Sequence, residues 1–224
     1  MSVLSACQRA TMEMYGVKPA AVFSSQGQKE IECQYLANEV AEDIAKSADW
    51  QRLTKLYTVD GDGATEAFPL PDDYDRMTQG VGVHSSKWFD RRYENAETLD
   101  RWLDLRILAP GFPPGYWIIL DNQFQVIPNI STGDDAEFYY QSKWIVHPAT
   151  GPNKTEFTQD DDEFILSDRL LTLGIIWRWK AMKGQPYAED MQSYQEALSQ
   201  EQTRDRGARV IRSNGNGRWS WPRW

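Results

Sequence analysis

The 224-residue chain contains two cysteines and two histidines, the residue types that most often bind transition metals or act as nucleophiles and bases. Cys7, Cys33, His84 and His147 do not have the ligand spacing of a zinc finger. Neither histidine lies in a nucleophile motif such as Gly-x-Ser-x-Gly. We therefore predict no metal site, no cofactor and no catalytic residue, and we expect both thiols to be reduced and buried.

Two short acidic segments are the remaining candidates for a cation site. The sequence DGDG at 60–63 looks like the beginning of a calcium loop, but it lacks the later oxygen ligands and the closing Glu of such loops. The acidic run at 160–163 precedes a predicted helix, where carboxylates stabilise the positive end of the helix dipole. We expect a polar turn at the first segment and a helix cap at the second.

Carboxylates and aromatic rings together leave two functions open as alternatives. The chain has 33 acidic residues and ten tryptophans. A pair of carboxylates beside a sugar cleft would make a glycoside hydrolase acting on a cell-wall polymer, and an aromatic platform would make a carbohydrate-binding module. Aromatic residues also dominate protein cores and interfaces, which favours a structural role.

The C-terminal end has a different charge from the rest of the chain. Residues 204–224 contain six arginines and one aspartate, a charge of +5. Because the net charge of the whole chain is −9, the residues before 204 together carry −14. Three tryptophans lie among the last six positions, and Trp and Arg are the types most enriched at binding hot spots. We predict that this tail docks on a protein partner through Arg204, Arg206, Arg209, Arg212, Arg218, Trp219, Trp221, Arg223 and Trp224. Nucleic acid is the less favoured partner, because the rest of the chain is acidic and DNA binding requires basic residues that neutralise phosphates.

The elements that position these residues can be read from the hydrophobic pattern. Residues 2–15 and 28–47 have helical spacing; the second segment repeats apolar residues at Ile31, Tyr35, Leu36, Val40 and Ile44. Residues 57–146 are short strand-like runs separated by Gly, Pro and Asp, with a short helix at 96–107. Asp121-Asn122 separates two of these runs and is typical of a tight hairpin turn.

The pattern returns to helices after the β-rich middle. Residues 163–183 are apolar almost all round, which predicts a helix buried on more than one side. Pro186 can begin a last helix that runs to about Thr203. The candidate subunit-interface residues on the central helix are Leu170, Ile176, Trp177 and Trp179.

We predict an α+β fold: a helical body formed by the N- and C-terminal helices, an inserted small antiparallel β lobe and an extended C-terminal tail. The predicted boundaries are 1–56 for the N-terminal helices, 57–147 for the β lobe, 148–203 for the C-terminal helices and 204–224 for the tail. The mean hydropathy is −0.64, and no run approaches the roughly 18 apolar residues of a membrane span. We expect no membrane partner.

Three stretches, in this order, resemble a known family. They are ADWQRL at 48–53 after the early helix pair, FPLPDDYDRM at 68–77, and PPGYWIILDNQFQVIP at 113–128, which is followed by a tyrosine-rich strand at 137–140. This arrangement over residues 1–203 is similar to the head-to-tail adaptor (connector, or head-completion) proteins of tailed bacteriophages, including the tail accessory factors of short-tailed phages.

The resemblance implies a structural virion protein without a shared catalytic motif. Such adaptors form a ring, usually of twelve subunits, bound under the portal protein at the vertex where DNA leaves the head. The ring extends the DNA channel, retains packaged DNA and receives the next tail or neck protein, while double-stranded DNA passes through its lumen without specific binding. In some members the C-terminal segment extends along the portal. The implied location is the virion neck, with assembly in the host cytoplasm.

Overall fold

The computed structural model describes residues 2–87, 89, 91–108 and 115–206. The helices in these ranges are α1 (Val3–Tyr15), α2 (Gln28–Lys46), α3 (Leu99–Leu108), α4 (Asp168–Met182) and α5 (Ala188–Asp205), with a 3₁₀ turn at Gln51–Leu53. None of the helices in the described part of the chain is long and apolar enough to cross a membrane.

Most of the strands belong to one mixed sheet. The strands are β1 (Thr54–Asp60), β2 (Ala67–Pro69), β3 (Tyr74–Met77), β4 (Val83–His84), β5 (Arg92–Asn95), β6 (Tyr116–Leu120), β7 (Gln123–Ile127), β8 (Asp135–Ser142), β9 (Val146–His147) and β10 (Glu163–Phe164). The order across the large sheet is β1-β8-β4-β5-β6-β7-β2, and β3 also pairs with β8. The pairings are antiparallel except for β5 with β6, while β9 and β10 form a separate two-stranded ribbon. The class is therefore α+β, as predicted.

The predicted hairpin forms where the sequence placed it. β6 and β7 pair directly, and the turn residues Asp121 and Asn122 have φ angles of 50° and 56°. Positive φ at both central positions is what a type I′ turn requires, and Asp and Asn tolerate it better than other non-glycine residues. The first two helices and the last helix also lie within two residues of their predicted ends.

Helix α4 is the centre of the helical part of the molecule. It packs against α1, α2 and α5, which explains why its apolar residues cover most of its circumference. Four helices and the loop around Phe157 bury one hydrophobic cluster that includes Leu36, Val40, Leu170 and Ile175. The two cysteines, Cys7 and Cys33, are free and buried in the same cluster.

The predicted start of α4 at residue 163 is wrong, and so is the prediction that the acidic run caps it. Residues Glu163 and Phe164 form β10, and the helix begins only at Asp168. Asp160 Oδ1 accepts the backbone N–H groups of Val22 and Phe23 at 2.8 and 3.0 Å. Carboxylates of the run thus bind loop amides rather than a helix end.

The other acidic residue that binds a loop is Asp162, which is fully buried. Its Oδ2 accepts the N–H groups of Thr158 and Gln159 at 2.8 and 2.9 Å and pairs with the ammonium of Lys154 at 2.7 Å. The contacts stabilise the loop that leads from the β9 region back to the helices.

Gly174 permits the close approach of α4 to α2, and replacing it should destabilise the protein. A Cβ added at Gly174 would lie 2.3 Å from Cγ1 of Val40, a stiff, buried side chain. Gly174→Ala is expected to lower the free energy of unfolding by about 1–2 kcal/mol, because overpacking outweighs the roughly 1 kcal/mol gain in helix propensity. Denaturant unfolding measures this.

A double-mutant cycle with Val40→Ala is the control for the Gly174 prediction. With Val40 shortened, the added methyl group has room, so Gly174→Ala should cost little or should stabilise. An equal cost in both backgrounds would contradict the proposed clash.

Candidate interaction surfaces

The helices and the sheet are joined by a hydrogen-bonded ion pair. Arg76 of β3 donates to Asp49 Oδ1 from Nε at 3.3 Å and from Nη2 at 3.1 Å, and Nη2 also donates to the carbonyl of Ala48 at 2.8 Å. Asp49 Oδ2 accepts the N–H of Gln79 at 2.7 Å. Asp49 lies three residues after the end of α2, so this pair fixes the course of the chain between the helix and the sheet.

A second polar cluster surrounds Asp73, which is 5% exposed. Its carboxylate accepts hydrogen bonds from the hydroxyls of Tyr140 and Ser142 at 2.8 and 2.7 Å and from the ammonium of Lys55 at 2.6 Å. Burial alone would raise the pKa of Asp73, but these three donors outweigh it and the pKa is lowered. The cluster ties β1, β8 and the segment before β3 together.

These contacts bring together the three sequence stretches that carry the family resemblance. The first stretch contacts the second through Asp49 and Arg76. The second contacts the third because β2 pairs with β7, with Phe68 opposite Phe124. Residues 109–114 of the third stretch lie outside the described residues.

The ion pair between Arg76 and Asp49 is expected to contribute measurably to the free energy of unfolding. Arg76→Ala should lower the free energy of unfolding by about 1–3 kcal/mol, since it removes the guanidinium that pairs with the half-buried Asp49 carboxylate and donates to the Ala48 carbonyl, and leaves Asp49 with only the N–H of Gln79. Thermal unfolding of this variant, compared with Arg91→Ala at an exposed position, measures the difference. Equal midpoints for the two variants would contradict the proposed role.

An open groove lies along the outer side of α2. It encloses about 670 Å³ between Tyr35, Asn38 and Glu42 on the helix and Arg76, Lys143 and Glu156 on the opposite wall. Tyr35 is 64% exposed and Ile31, one turn before it, is 48% exposed. The sequence pattern groups both with Leu36, Val40 and Ile44 in one apolar stripe, but the buried face of α2 is completed instead by Cys33, Ala37 and Ala41.

Helix α3 exposes a stripe of large apolar residues. Trp102 and Leu105 are buried against the sheet, while Leu99, Leu103 and Ile107 are 58%, 57% and 83% exposed. These positions recur every four residues, so they share one face of the helix. A second apolar face on an exposed helix is typical of a protein interaction surface.

Of the four predicted interface residues on α4, three are buried in the chain's own core and one is partly exposed. Leu170, Ile176 and Trp179 are 0%, 3% and 5% exposed and belong to the chain's own core. Trp177 is half-exposed and stacks near Tyr187 and Tyr194, with centroids 6.4 and 6.0 Å away. Of these four, Trp177 has the most surface left for a neighbouring subunit.

The predicted tail site is described only at its beginning. Arg204 lies in α5 and pairs with Glu201 at 2.9 Å; Arg206 follows α5 at the edge of a second groove, of about 830 Å³. The other predicted tail residues, which lie outside the described residues, are Arg209, Arg212, Arg218, Trp219, Trp221, Arg223 and Trp224.

The second groove lies on the solvent-facing side of the sheet. Thr54, Tyr139 and Gly80 line it together with Arg206. Tyr139 lies directly opposite Leu56 in the pairing of β1 with β8, and these two side chains are 46% and 49% exposed. Sequence analysis did not identify this surface, although alternation along β1 and β8 places both residues on the face opposite the sheet core.

The candidate cation segments bind protein groups. Asp62 accepts the N–H groups of Ala64 and Thr65 at 2.8 and 2.7 Å, and the hydroxyl of Thr65 as well. These bonds lower the pKa of Asp62 to about 2. The predicted polar turn is therefore confirmed. Across residues 2–87, 89, 91–108 and 115–206, no group of three or more His, Cys, Asp or Glu side chains is placed to hold a metal ion.

Comparison with known proteins gives one family. A family model described as SU10 adaptor protein matches residues 16–219, which include all three stretches at 48–53, 68–77 and 113–128. A search of curated proteins found no match.

Proposed function

Because this chain belongs to the SU10 adaptor protein family, we propose that it is a head-to-tail adaptor that forms a ring under the phage portal and joins the head to the tail. The family match over residues 16–219 is the observation that carries this proposal. It confirms the relationship to phage head-to-tail adaptors inferred from the sequence. A phage adaptor has a structural role, and its location is the virion neck.

The proposed subunit has a helical body, a β lobe at about 57–147 and a C-terminal tail. The separate hydrophobic clusters support this division: one is built by α1, α2, α4 and α5, and another lies inside the large sheet around Phe124 and Phe138. Arg76 and Asp49 connect the two parts, so the lobe would move with the body when a ring assembles.

The charge of the chain supports a conduit for DNA rather than a DNA-binding ring. Twelve subunits at −9 each would carry a charge of roughly −100, and an acidic wall repels phosphates over about one Debye length, ~8–10 Å. The lumen would then let double-stranded DNA slide without holding it.

A closed ring requires two different faces on each subunit that fit each other. The exposed stripe of α3 and the half-exposed Trp177 are surfaces of this chain that could supply them. The side chains of Leu170, Ile176 and Trp179 are buried within the subunit. They would therefore contribute to the interface only indirectly, by holding α4 and Trp177 in position.

The tail would dock on the portal protein through its arginines and tryptophans, and the opposite end of the ring would receive the next tail or neck protein. The tail's basic charge and aromatic content support the first contact. If the tail binds only to an assembled portal, the adaptor ring would form only after the portal has assembled.

Native mass spectrometry of the purified protein, alone and mixed with its portal ring, tests the proposed function. We expect a species of low subunit number alone and a stoichiometric ring of adaptors on the portal. Absence of binding to the portal at micromolar concentration would contradict the proposal. A portal that binds a variable number of adaptors, rather than one fixed number, would contradict the closed ring.

A further inference from the structure

The large sheet curves until its two end strands meet. The hydroxyl of Tyr57 in β1 donates to the carbonyl of Pro69 in β2 at 2.7 Å, although these strands stand at opposite ends of the pairing order β1-β8-β4-β5-β6-β7-β2. One hydrophobic cluster inside the curve includes Val59 from β1, Phe124 from β7 and Phe138 from β8. The hairpin of β6 and β7 therefore lies across the sheet interior from β8, since β4 and β5 separate them on one side and β1 and β2 on the other.

This curvature places two exposed surfaces on opposite sides of the subunit. Helix α3 covers the outer face of β6 and β7, where Trp102 and Leu105 pack against the sheet in a cluster of their own. The groove beside α2 lies on the other side, next to Arg76 of β3 and to Gln141 and Ser142 at the end of β8. Two different surfaces on opposite sides of a subunit are what a head-to-tail contact between identical copies requires, and such contacts close a ring when the rotation fits.

The exposed stripe of α3 has the length to fit the groove. Leu99, Leu103 and Ile107 are each more than half exposed, and a rise of 1.5 Å per residue gives the stripe a length of about 12 Å. The groove follows α2 from Tyr35 to Lys46, which is roughly 16 Å by the same rise. Apolar side chains also line the groove, from Ala45, Leu53 and Ile145. A helix that lays an apolar stripe into such a groove is a common mode of protein recognition.

One edge of the stripe is acidic. Asp100 and Asp104 each come one position after a leucine of the stripe, so both lie along the same edge. Neither carboxylate has an ion-pair partner within the part of the chain that the structure describes. The cations of α3 are engaged, because Arg101 lies over an aromatic ring and Arg106 is 3.6 Å from Glu66. This edge therefore favours a partner surface that carries an unpaired cation.

The groove supplies such a cation. Lys143 lines it, is exposed and forms no ion pair with any residue that the structure describes. The other two cations of the groove, Lys46 and Arg76, are already paired with carboxylates of their own chain. The lining also includes the carboxylate of Glu156, which suits the opposite edge of the stripe, where Arg106 lies.

We infer that the exposed stripe of α3 binds in the α2 groove of a second copy of this chain, with Asp100 or Asp104 paired to the partner subunit's Lys143. The inference rests on the proposed function, because it names the two faces through which the adaptor ring would close. Each subunit would offer its stripe to one neighbour and its groove to the other.

Cross-linking between introduced cysteines tests the contact. A chain with both Leu103→Cys and Tyr35→Cys has one thiol on each surface, while the native thiols of Cys7 and Cys33 are buried. A short bis-maleimide, added to the concentrated protein alone and to the protein on portal rings, should give a ladder of dimers, trimers and larger species. Each single variant can give at most dimers. The matched control, Leu103→Cys with Ser193→Cys on the exposed side of α5, should give no ladder.

A charge exchange then identifies the ion pair. In the two-cysteine chain, Lys143→Glu should lower the yield of trimers and larger species several-fold, because it brings like charges together. Adding Asp100→Lys and Asp104→Lys should restore the ladder. Arg169→Glu, an exposed charge reversal that neither lines the groove nor lies on α3, should leave the yield unchanged.

A ladder no stronger than that of the Ser193 control, both in the free protein and on the portal, would overturn the inference. Products that stop at dimers, or a ladder that Lys143→Glu does not weaken, would overturn the assigned contact as well. Portal binding without a ladder would remove this contact and leave the adaptor role intact. A ladder without portal binding would support the contact and contradict the proposed function.

Discussion

Replacing Asp73 by alanine should lower the free energy of unfolding by about 3 kcal/mol. The change removes the acceptor of Tyr140 and Ser142, both buried, and leaving a buried hydroxyl without a partner costs roughly 1–3 kcal/mol. Lys55 is partly exposed and can return to water. For a chain of this size we expect a fall in Tm of about 6–12 °C, measured by calorimetry.

The matched control is Asp72→Ala, one residue earlier and exposed. It removes the same charge from the same segment without disturbing the hydrogen bonds to Asp73, so its effect should stay within about 0.5 kcal/mol. A similar loss in both variants would show that the segment's charge, rather than the Asp73 cluster, stabilises the fold.

The same variant has a predicted pH dependence. The pKa of Asp73 is lowered in the folded state, because Lys55, Ser142 and Tyr140 outweigh the effect of burial. Its contribution is therefore fully present above the unfolded-state value of about 4 and is lost as pH falls through the lower folded-state pKa. The stability difference between wild type and Asp73→Ala should shrink as the pH is lowered from 7 toward 2. A constant difference would contradict the assignment.

The sequence was sufficient for elements whose local chemistry allows one structure. The hairpin at 116–127 was predicted because Asp121-Asn122 can adopt positive φ between two apolar runs. The last helix was predicted because Pro186 precedes a helical period. These signals are local, so tertiary contacts did not need to be known.

The buried face of α2 was only partly predicted because large apolar residues received too much weight. Leu36, Val40 and Ile44 are buried as expected, but the stripe is completed by Cys33, Ala37 and Ala41 rather than by Ile31 and Tyr35. The same face packs against α4, where Gly174 lets the helix approach Val40. Helical spacing of the small residues was the signal that could have separated the core from the exposed groove.

The wrong start of α4 has a different cause. An acidic run before an apolar segment resembles a helix N-terminus, but here Phe164 pairs in a ribbon with Val146 and Asp160 binds the distant amides of Val22 and Phe23. These bonds join residues more than a hundred positions apart. No local pattern reports them, and the same is true of the ion pair between Arg76 and Asp49.

The exposed apolar surfaces that could bind partner proteins could not be predicted from local sequence patterns either. The exposed faces of α3 and of the sheet carry apolar residues that look like core residues in sequence. Only the register of β1 with β8 shows that Leu56 and Tyr139 lie together on the outer side.

Ending the chain at Arg206 should abolish portal binding and leave the rest of the protein folded. The deleted residues carry four arginines, all three tail tryptophans and no acidic residue, and loss of several hot-spot residues of these types weakens binding by at least ~100-fold. The truncated chain keeps Asp205 and its bond to Gln51, so its free energy of unfolding should change by less than about 1 kcal/mol. Sedimentation with purified portal rings measures the first effect and denaturant unfolding measures the second.

The position of the truncation decides whether the result can be interpreted. A chain ending at Thr203 would also lose the Asp205 carboxylate, which accepts the Gln51 N–H and lies near Arg52, so lost binding could then reflect a disturbed start of β1. A full-length chain with Trp219, Trp221 and Trp224 changed to alanine is the complementary variant, because it keeps every arginine. Loss of portal binding in both the shorter chain and this variant would assign the contact to the aromatic end. Unchanged affinity after removal of residues 207–224 would mean that the portal is bound by the folded part of the chain, and the exposed stripe of α3 would then be the first surface to mutate.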